Sequence, residues 1–374
     1  MRVLIFYASY GGGHLSAANS IKQCIEEFHP DYEIKMVDCM KYVNPNIEKF
    51  TTDAYKIMAK DAPKAWGALY KLSDKGLLFH LSNWNNKILS IKLFELFKDF
   101  NPDVVISTHP FSSQMTACLK KHHKTNCKLA TILTDFAPQN QWLVGNKYMD
   151  YIFVSHESMR KDIISTGIDE NKVFATGIPL SNRFLQNFNR EEIKKSFKLD
   201  ENKNTILFFG GGQFGLGKDA TVKILKAFIN NLGDKFQMVL ISGKNQKMFD
   251  NFTKVVIEKE VESKVKVLEF TTQVPELMSI SDLVVTKPGG LTTTESLASG
   301  LPIAIINPIP GQEEENAKFL VESGVGIWIK KPEKAEEYVQ TILSNPNELK
   351  NMKIKSKLLA KKNSTKNICD IIFN

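Results

Sequence analysis

The sequence predicts an α/β protein with two doubly wound domains, on three observations. Short apolar runs rich in Val and Ile, such as VLIFYA, DVVIST, FQMVLISG and LVVTKP, alternate with stretches of helical length. Such runs are typical of strands buried on both faces of a parallel sheet. The strand series restarts at Thr205, after the polar stretch NREEIKKSFKLDENKN. A chain of 374 residues is also long enough for two cores.

These observations divide the chain into three parts. We expect an N-terminal domain at 1–185, a linker at 186–203 and a C-terminal domain at 204–354. The basic tail KNMKIKSKLLAKKNSTKN predicts a final helix at about 355–374.

Composition restricts the possible partners and compartment. A net charge of +8 and a pI of about 9.0 suit an anionic membrane surface or a phosphorylated substrate. No arginine-rich block or aromatic-interleaved RNA motif occurs in the sequence, so we expect no nucleic-acid partner. No apolar run reaches the roughly 18–20 residues of a spanning helix. Five scattered cysteines without a CxxC pair are typical of reduced thiols, so we expect a cytoplasmic protein.

Residues 54–100 interrupt the alternation of strands and helices. They mix aromatic residues, including Trp66 and Trp84, with eight lysines. This mixture favours a helix that lies in a membrane interface with its lysines toward anionic head groups. The alternative is a set of helices that cover the first sheet with a solvated lysine face, and both interpretations stay open.

The string KPGGLTTTE at 287–295 is the most specific element of the chain. A predicted strand ends at Thr286, a Pro-Gly-Gly turn follows, and a helix begins. The free N–H groups of such a helix start, together with threonine hydroxyls, can bind a diphosphate. Glu295, about one turn later, can accept from the two vicinal hydroxyls of a ribose. The alternative is a helix start in which Glu295 only favours the dipole.

Two further strings suggest ligand contacts in the second half. The run LFFGGGQFGLGK follows a strand, and its glycines let backbone N–H groups approach a ligand. In NPIPGQEEEN, Gln312 and Glu313 can hydrogen-bond sugar hydroxyls, or they can merely begin a helix with acidic residues.

Three polar groups of the first half are candidate catalytic residues: His14, His109 and Asp135. Each follows a predicted strand, at the edge where parallel sheets bind ligands. A histidine is a natural base at neutral pH, and Asp135 can orient a histidine or act as a base itself. His109 can instead be a structural imidazole before Pro110.

The first loop also matches a dinucleotide fingerprint imperfectly. Gly11 and Gly13 fit G-x-G-x-x-G, but Ser16 stands at the third glycine, and Asp38 ends the next strand. An NAD-dependent oxidoreductase would use these residues, but it leaves KPGG unexplained.

Six motifs in order carry a resemblance to a known family: SYGGGH, PDVVISTHPF, TDF…W, FGGG, VPELMSISDLVVTKPGGLTTTE and PGQEEEN. Over most of its length the chain resembles the diacylglycerol glycosyltransferases of the bacterial glucolipid synthase and plant monogalactosyldiacylglycerol synthase type. The resemblance implies the GT-B fold, with two Rossmann-like domains facing a cleft and the last helix packing back on the first domain.

The resemblance also implies the reaction. It is the inverting transfer of a hexose from UDP-glucose or UDP-galactose to the 3-hydroxyl of 1,2-diacylglycerol, at the inner face of the cell membrane. No cofactor or metal is expected, and the chain has no D-x-D pair. The sequence does not distinguish glucose from galactose, and it does not specify the number of sugars added or the oligomeric state.

The family's functional residues carry over by motif. On the donor side, the implied groups are the backbone at Thr272 and Val274 for uracil, Glu295 for the ribose, Gly289, Gly290, Leu291 and Thr292 for the diphosphate, Gln312 and Glu313 for the sugar, and Gly212 and Gln213 closing over the phosphates. On the acceptor side, they are Gly12, Gly13 and Trp142 beside the candidate base His14. Gln139 stands where family members commonly carry a histidine, which puts the role of that histidine in doubt.

Two other functions remain as alternatives. One is a GlcNAc transferase that acts on a polyprenyl-diphosphate-linked acceptor in cell-wall synthesis. The other is a regulator that binds a UDP-sugar without turnover.

Overall fold

The computed structural model describes residues 1–9, 12–43, 92–211 and 218–374, which form two compact units. The first unit consists of Met1–Asn182, Pro310–Gln312 and Lys361–Asn374. The second consists of Arg183–Ile309 and Glu313–Ala360.

A parallel sheet forms the centre of the first unit, with the order β2-β1-β3-β4-β5-β6 in the described residues. Its strands are β1 (Arg2–Tyr7), β2 (Glu33–Asp38), β3 (Val104–Ser107), β4 (Lys128–Ile132), β5 (Tyr151–Phe153) and β6 (Val173–Phe174).

The second unit repeats this architecture. Its parallel sheet has the order β12-β11-β10-β7-β8-β9. The strands are β7 (Asn204–Phe209), β8 (Phe236–Ile241), β9 (Val265–Leu268), β10 (Leu283–Thr286), β11 (Ile303–Ile305) and β12 (Gly326–Trp328). The predicted α/β fold with two parallel sheets is therefore confirmed.

Helices connect the strands, as parallel neighbours require. They are Gly13–Phe28, Cys39–Val43, 92–100, Pro110–Lys121, Asn140–Leu143, Glu157–Ser165, Arg190–Ser196, Lys218–Asn230, Gln246–Glu258, Val274–Ile280, Gly290–Ala298, Gln312–Glu322, Ala335–Ser344, Pro346–Leu359 and Ser364–Phe373. Short 3₁₀ turns lie at Asn146–Tyr148, Glu170–Lys172, Asn182–Leu185 and Pro332–Lys334. None of the helices in the described ranges is long and apolar enough to span a membrane.

The strands are apolar on both faces because helices cover both sides of each sheet. In β1, Leu4 and Phe6 belong to one hydrophobic cluster, whereas Val3 and Ile5 belong to another. Residues that alternate along a strand point to opposite faces, so both faces of this sheet are buried.

Each strand order contains a point where the chain reverses its direction of travel across the sheet. In the first sheet this point lies between β1 and β3, and in the second between β7 and β10. Ligands of doubly wound sheets bind at the carboxyl ends of such strands. The loops after these four strands are therefore the places to look for a site.

The C-terminal tail differs from the single helix expected at 355–374. It forms the helices Pro346–Leu359 and Ser364–Phe373, and the chain passes from the second unit to the first between them. Ser364 Oγ donates to the Ile178 carbonyl (2.7 Å), and the Thr365 hydroxyl bonds both the N–H (2.8 Å) and the carbonyl (2.7 Å) of Leu180. These bonds attach the last helix to the first unit.

The stretch 186–203 also differs from the expected linker, because the structure divides the chain after Asn182. Within this stretch the helix Arg190–Ser196 belongs to the second unit, where Arg190 donates to the Ile280 carbonyl (3.0 Å) at the end of the helix Val274–Ile280.

We predict that Thr365→Val destabilises the protein by about 2–4 kcal/mol, because it leaves the buried N–H and carbonyl of Leu180 without their side-chain partner. Chemical denaturation measures the loss. Thr341→Val is the matched control, since Thr341 is exposed and its hydroxyl bonds only the Glu337 carbonyl. Its cost is expected below about 0.5 kcal/mol. Equal losses for the two variants would refute the proposed attachment.

Candidate active site

The first group of polar residues lies at the carboxyl ends of β1, β3 and β4, and its centre is His14. The His14 Nδ1 lies 2.5 Å from the Thr108 carbonyl oxygen, which can only accept, so Nδ1 carries the proton. The Thr108 hydroxyl in turn donates to the His14 carbonyl (2.9 Å). Thr134 Oγ1 lies 3.2 Å from the same Nδ1. This arrangement leaves Nε2 as the unprotonated nitrogen of the neutral ring.

The charge state of His14 follows from its surroundings. Burial lowers the pKa of His14 to about 4, and the hydrogen bond to the Thr108 carbonyl opposes this only in part. The ring is therefore neutral at pH 7. A neutral imidazole with a free Nε2 lone pair can accept a proton.

His109 lies beside His14, with ring centroids 4.8 Å apart in an edge-to-face arrangement. Its Nδ1 accepts from the Phe111 N–H (3.3 Å), which caps the helix Pro110–Lys121. Burial, and to a smaller extent the neighbouring His14, lower the pKa of His109. The Nδ1 of this candidate thus has a structural role as a helix cap.

The other first-domain candidates surround His14. Asp135 follows Thr134 directly and is buried, and its carboxylate accepts from the side-chain amide of Gln312, a residue of the first unit. Trp142 is 1% exposed and packs in the core with its ring 6.4 Å from that of His14. Trp142 is therefore part of the core beside the His14 ring.

The glycines before His14 start its helix. Gly12 is the exposed N-cap residue and Gly13 the first residue of the helix Gly13–Phe28. A Cβ placed on Gly12 would meet no atom of a described residue within 4 Å.

The dinucleotide interpretation of this loop uses Asp38, whose carboxylate is already occupied. Ser9 Oγ donates to it, and so does the Lys41 N–H (3.2 Å). The Asp38 side chain is nearly buried. Its observed role is to hold the loop after β1 against the end of β2.

The second group of polar residues lies at the carboxyl ends of β7 and β10. The helix Gly290–Ala298 follows β10 with Gly289 as its N-cap, and glycine has no side chain that could cap the helix. Its backbone bonding begins with Thr293 N–H to the Gly289 carbonyl (2.9 Å). The N–H groups of the three residues in between therefore remain outside the helical ladder. They are Gly290, Leu291 and Thr292.

The threonine hydroxyls of this helix have different surroundings. Thr294 Oγ1 donates back to the Gly290 carbonyl (2.8 Å), and Thr293 Oγ1 is buried without a hydrogen-bond partner in the part of the chain that the structure describes. Thr292 is partly exposed at the helix start. Of the three, Thr292 is the hydroxyl best placed for a ligand at this helix end.

Glu295 lies about 7.5 Å further along the helix axis than Gly290. Its carboxyl group is partly buried and makes no hydrogen bond or ion pair with any described residue. Burial raises the pKa of Glu295 to about 8. An acidic group desolvated without an internal partner is typical of a binding site.

Lys287 and Glu313 lie near the turn before this helix, and the sequence did not indicate that they interact. Lys287 follows β10 directly; burial lowers the pKa of its ammonium group, and the charge of the Glu313 carboxylate opposes this shift. Glu313 Oε2 accepts from the Ile309 N–H (2.7 Å), and its Oε1 lies 3.9 Å from where a Cβ on Gly289 would stand. The buried Asn316 donates to the Pro288 carbonyl (2.9 Å) and fixes the turn.

The loop after β9 contains the expected base-binding backbone. Arg183 donates to the Thr272 carbonyl (2.8 Å) and pairs with Glu276 (2.7 Å). Val274 begins the helix Val274–Ile280, directly after this loop. Arg183 thereby holds the conformation of the loop, a role that the sequence alone did not indicate.

Gly212 and Gln213 lie outside the described residues, as do Gly11 and most of the 54–100 segment. Gly211 is described and has a positive φ of 93°, which favours glycine.

The residues missed by sequence reasoning are Thr108, Thr134, Arg183 and Lys287. For Lys287 a signal was present, since it opens the KPGG string. For the other three, only the packing of distant chain segments reveals the contact.

Comparisons with known proteins agree with this organisation. The family model of monogalactosyldiacylglycerol (MGDG) synthase matches residues 14–180, and that of glycosyl transferases group 1 matches residues 189–358. The processive diacylglycerol beta-glucosyltransferase of Bacillus subtilis (strain 168) is 29% identical, over 100% of this chain and 94% of that protein.

Two solved structures share the fold. Acinetobacter baumannii MurG superposes with a TM-score of 0.67 at 15% identity, covering 99% of this chain and 98% of that one. The S. aureus MnaA–UDP co-structure superposes with a TM-score of 0.65 at 12% identity, covering 99% and 95%.

These likenesses define the architecture as the GT-B fold of two Rossmann-like domains. Within this class, the two family models and the full-length relative support the diacylglycerol glycosyltransferase family.

We predict that His14 stays neutral in its Nδ1–H form down to about pH 5, because burial holds its pKa at about 4. Nitrogen-15 NMR of the histidine side chains, assigned with a His14→Asn variant, measures both the tautomer and its titration. A titration near pH 6.5, or a protonated Nε2 in the neutral form, would contradict the geometry described for this residue.

Proposed function

We propose that this protein transfers a hexose from UDP-glucose or UDP-galactose to the 3-hydroxyl of 1,2-diacylglycerol, with inversion at the anomeric carbon. The observation that carries the proposal is the uncapped start of the helix Gly290–Ala298 with the unpartnered carboxyl of Glu295 on the same helix. A helix start binds phosphate groups, and a carboxylate accepts from vicinal hydroxyls. Both belong to a chain whose relatives are named diacylglycerol glucosyltransferases.

In this proposal the second unit holds the donor. The backbone at Thr272 and Val274 contacts uracil, Glu295 accepts from the ribose hydroxyls, and Glu313 accepts from the sugar. The diphosphate lies at the free N–H groups of the helix start. Gln312, Gly212 and Gln213 complete the proposed donor contacts.

His14 is the proposed base, with Nε2 as the accepting atom. As the diacylglycerol hydroxyl attacks C1 of the sugar, its proton passes to Nε2 and the new C1–O bond forms. The bond between C1 and the β-phosphate oxygen breaks, and its electron pair leaves with UDP. The products are the β-glycosyl diacylglycerol and UDP, because the donor is an α-glycoside. Asp135 is the second candidate for the base.

The protein would act while bound to the cytoplasmic face of the membrane, since diacylglycerol is a lipid. The net charge of +8 supports attraction to an anionic surface. The reaction as proposed uses no resident metal or cofactor, and unchanged turnover in excess EDTA is the expected result.

The alternative acceptor, a polyprenyl-diphosphate-linked sugar, has no comparable support. The MurG likeness is one of fold at 15% identity, whereas the MGDG synthase model matches the first half of the chain directly.

The experiment that tests the proposal measures UDP release with UDP-glucose, UDP-galactose or UDP-GlcNAc, in liposomes with and without diacylglycerol. Release that depends on diacylglycerol and on one of the two hexose donors is expected. UDP-sugar binding without release would favour the regulator, and release only with UDP-GlcNAc and a polyprenyl-diphosphate acceptor would favour the cell-wall enzyme. Either result would overturn the proposal.

We predict that His14→Asn lowers kcat by about 10²–10⁴-fold, the usual contribution of a general base, while the KM for the donor changes little. Asparagine retains a donor near the Nδ1 position but has no atom at Nε2. The matched control is His123→Asn, at an exposed position with φ of 54° that asparagine tolerates. If His14→Asn turns over like the control, His14 is not the base.

We predict that uridine binds about 25-fold more tightly at pH 8.5 than at pH 6.5, because ionisation of Glu295 through its raised pKa of about 8 creates the carboxylate that accepts two hydroxyls. Binding the carboxylate form releases a proton, so affinity rises with pH. Calorimetric titration measures this affinity. Glu295→Gln should make it weak and independent of pH, and a wild-type affinity that is flat with pH would refute the role of Glu295.

A further inference from the structure

Lys287 lies between two loops at the reversal point of the second sheet. It follows β10, and its side chain runs past Gly211 in the loop after β7. A Cβ placed on Gly211 would lie 3.5 Å from Lys287 Cε. Since β7 and β10 are neighbours, the lysine lies at the place where doubly wound sheets bind ligands.

The lysine has one counter-charge, and that carboxylate is itself desolvated. Burial lowers the pKa of Lys287, and Glu313 opposes this. Burial also raises the pKa of Glu313, against the effects of Lys287 and the Ile309 N–H. The ammonium makes no hydrogen bond to a described residue. A cation that is desolvated in this way is stabilised by an added anion.

The surrounding groups point to the kind of anion. Gly289 is the N-cap of the helix Gly290–Ala298, and a Cβ placed on it would lie 3.9 Å from Glu313 Oε1. The start of this helix therefore lies beside the Glu313 carboxylate. The cation, the free N–H groups of the helix start and the two glycines Gly211 and Gly289 therefore lie around one turn. Phosphate oxygens accept from both kinds of donor.

We propose that Lys287 binds the diphosphate of the nucleotide-sugar through its ammonium group and neutralises the charge that develops there when the sugar leaves. Glu313 holds the lysine in place before the donor binds. This inference rests on the proposed function and adds a residue to it. When the C1–O bond breaks, its electron pair passes to the β-phosphate oxygen, and Lys287 remains charged without transferring a proton.

A purely structural Lys287–Glu313 pair makes a different prediction. Loss of such a pair would lower the stability of the protein and weaken the binding of every ligand of the second unit equally. A diphosphate contact instead affects ligands in proportion to their phosphate charge.

The experiment compares the affinities of UDP, UMP and uridine for the wild type and four variants by calorimetry. Lys287→Met should weaken the binding of UDP by about 10- to 100-fold, as expected for the loss of a charged hydrogen bond. Uridine should stay within about twofold. Lys287→Arg keeps the charge and should recover most of the UDP affinity. Lys254→Met removes an equal charge from an exposed helix position and should leave all three ligands unchanged.

Glu313→Gln provides a second control, because it removes the counter-charge and retains the ammonium. Its loss of UDP affinity should be much smaller than that of Lys287→Met, because the ammonium that binds the diphosphate remains. Unchanged UDP binding in Lys287→Met overturns the inference, and so does equal weakening of UDP and uridine. If the wild type binds no UDP, the proposed function fails as well. If it binds UDP and Lys287→Met does too, only the role of Lys287 fails.

Discussion

The burial of both sheets on both faces is the constraint on which the functional groups depend. A strand such as β1 or β10 is covered by helices on either side, so polar chemistry can appear only where the strand ends. The strand order then decides which ends are neighbours. Because β1 pairs with β3, His14, in the first turn of the helix that follows β1, meets Thr108. Because β7 pairs with β10, Gly211 meets Lys287.

Polar groups at these edges fall into two sets. Asp38 and His109 have partners that the chain supplies, and they hold a loop and cap a helix. Glu295 and Lys287 are desolvated, and neither has a hydrogen-bond partner among the described residues. His14 has one nitrogen fixed and the other free. Groups that remain incompletely compensated after folding mark a site for ligands, and these three have the chemistry of a ribose contact, a phosphate contact and a base.

Much of this could be predicted from local sequence. Short apolar runs indicated most of the strands, and the Pro-Gly-Gly turn indicated the helix start at Gly290. The two-residue β6 is too short to produce such a run, and β12 begins at a glycine, Gly326. The Nδ1–H tautomer of His14 depends on a carbonyl 94 residues away in the sequence, which only the sheet order brings near. The break before Ser364 arises from side-chain bonds to Ile178 and Leu180, which the basic composition of the tail does not reveal.

The central claim is a single displacement at C1 in which a neutral His14 takes the proton of the diacylglycerol hydroxyl and UDP departs with the C1–O electron pair. The configuration of the product tests it most directly, by proton NMR of the anomeric centre after reaction with the productive UDP-hexose. The account predicts a β-glycoside of diacylglycerol, formed with inversion from the α-linked donor. An α-glycoside would show retention of configuration and would contradict a one-step displacement.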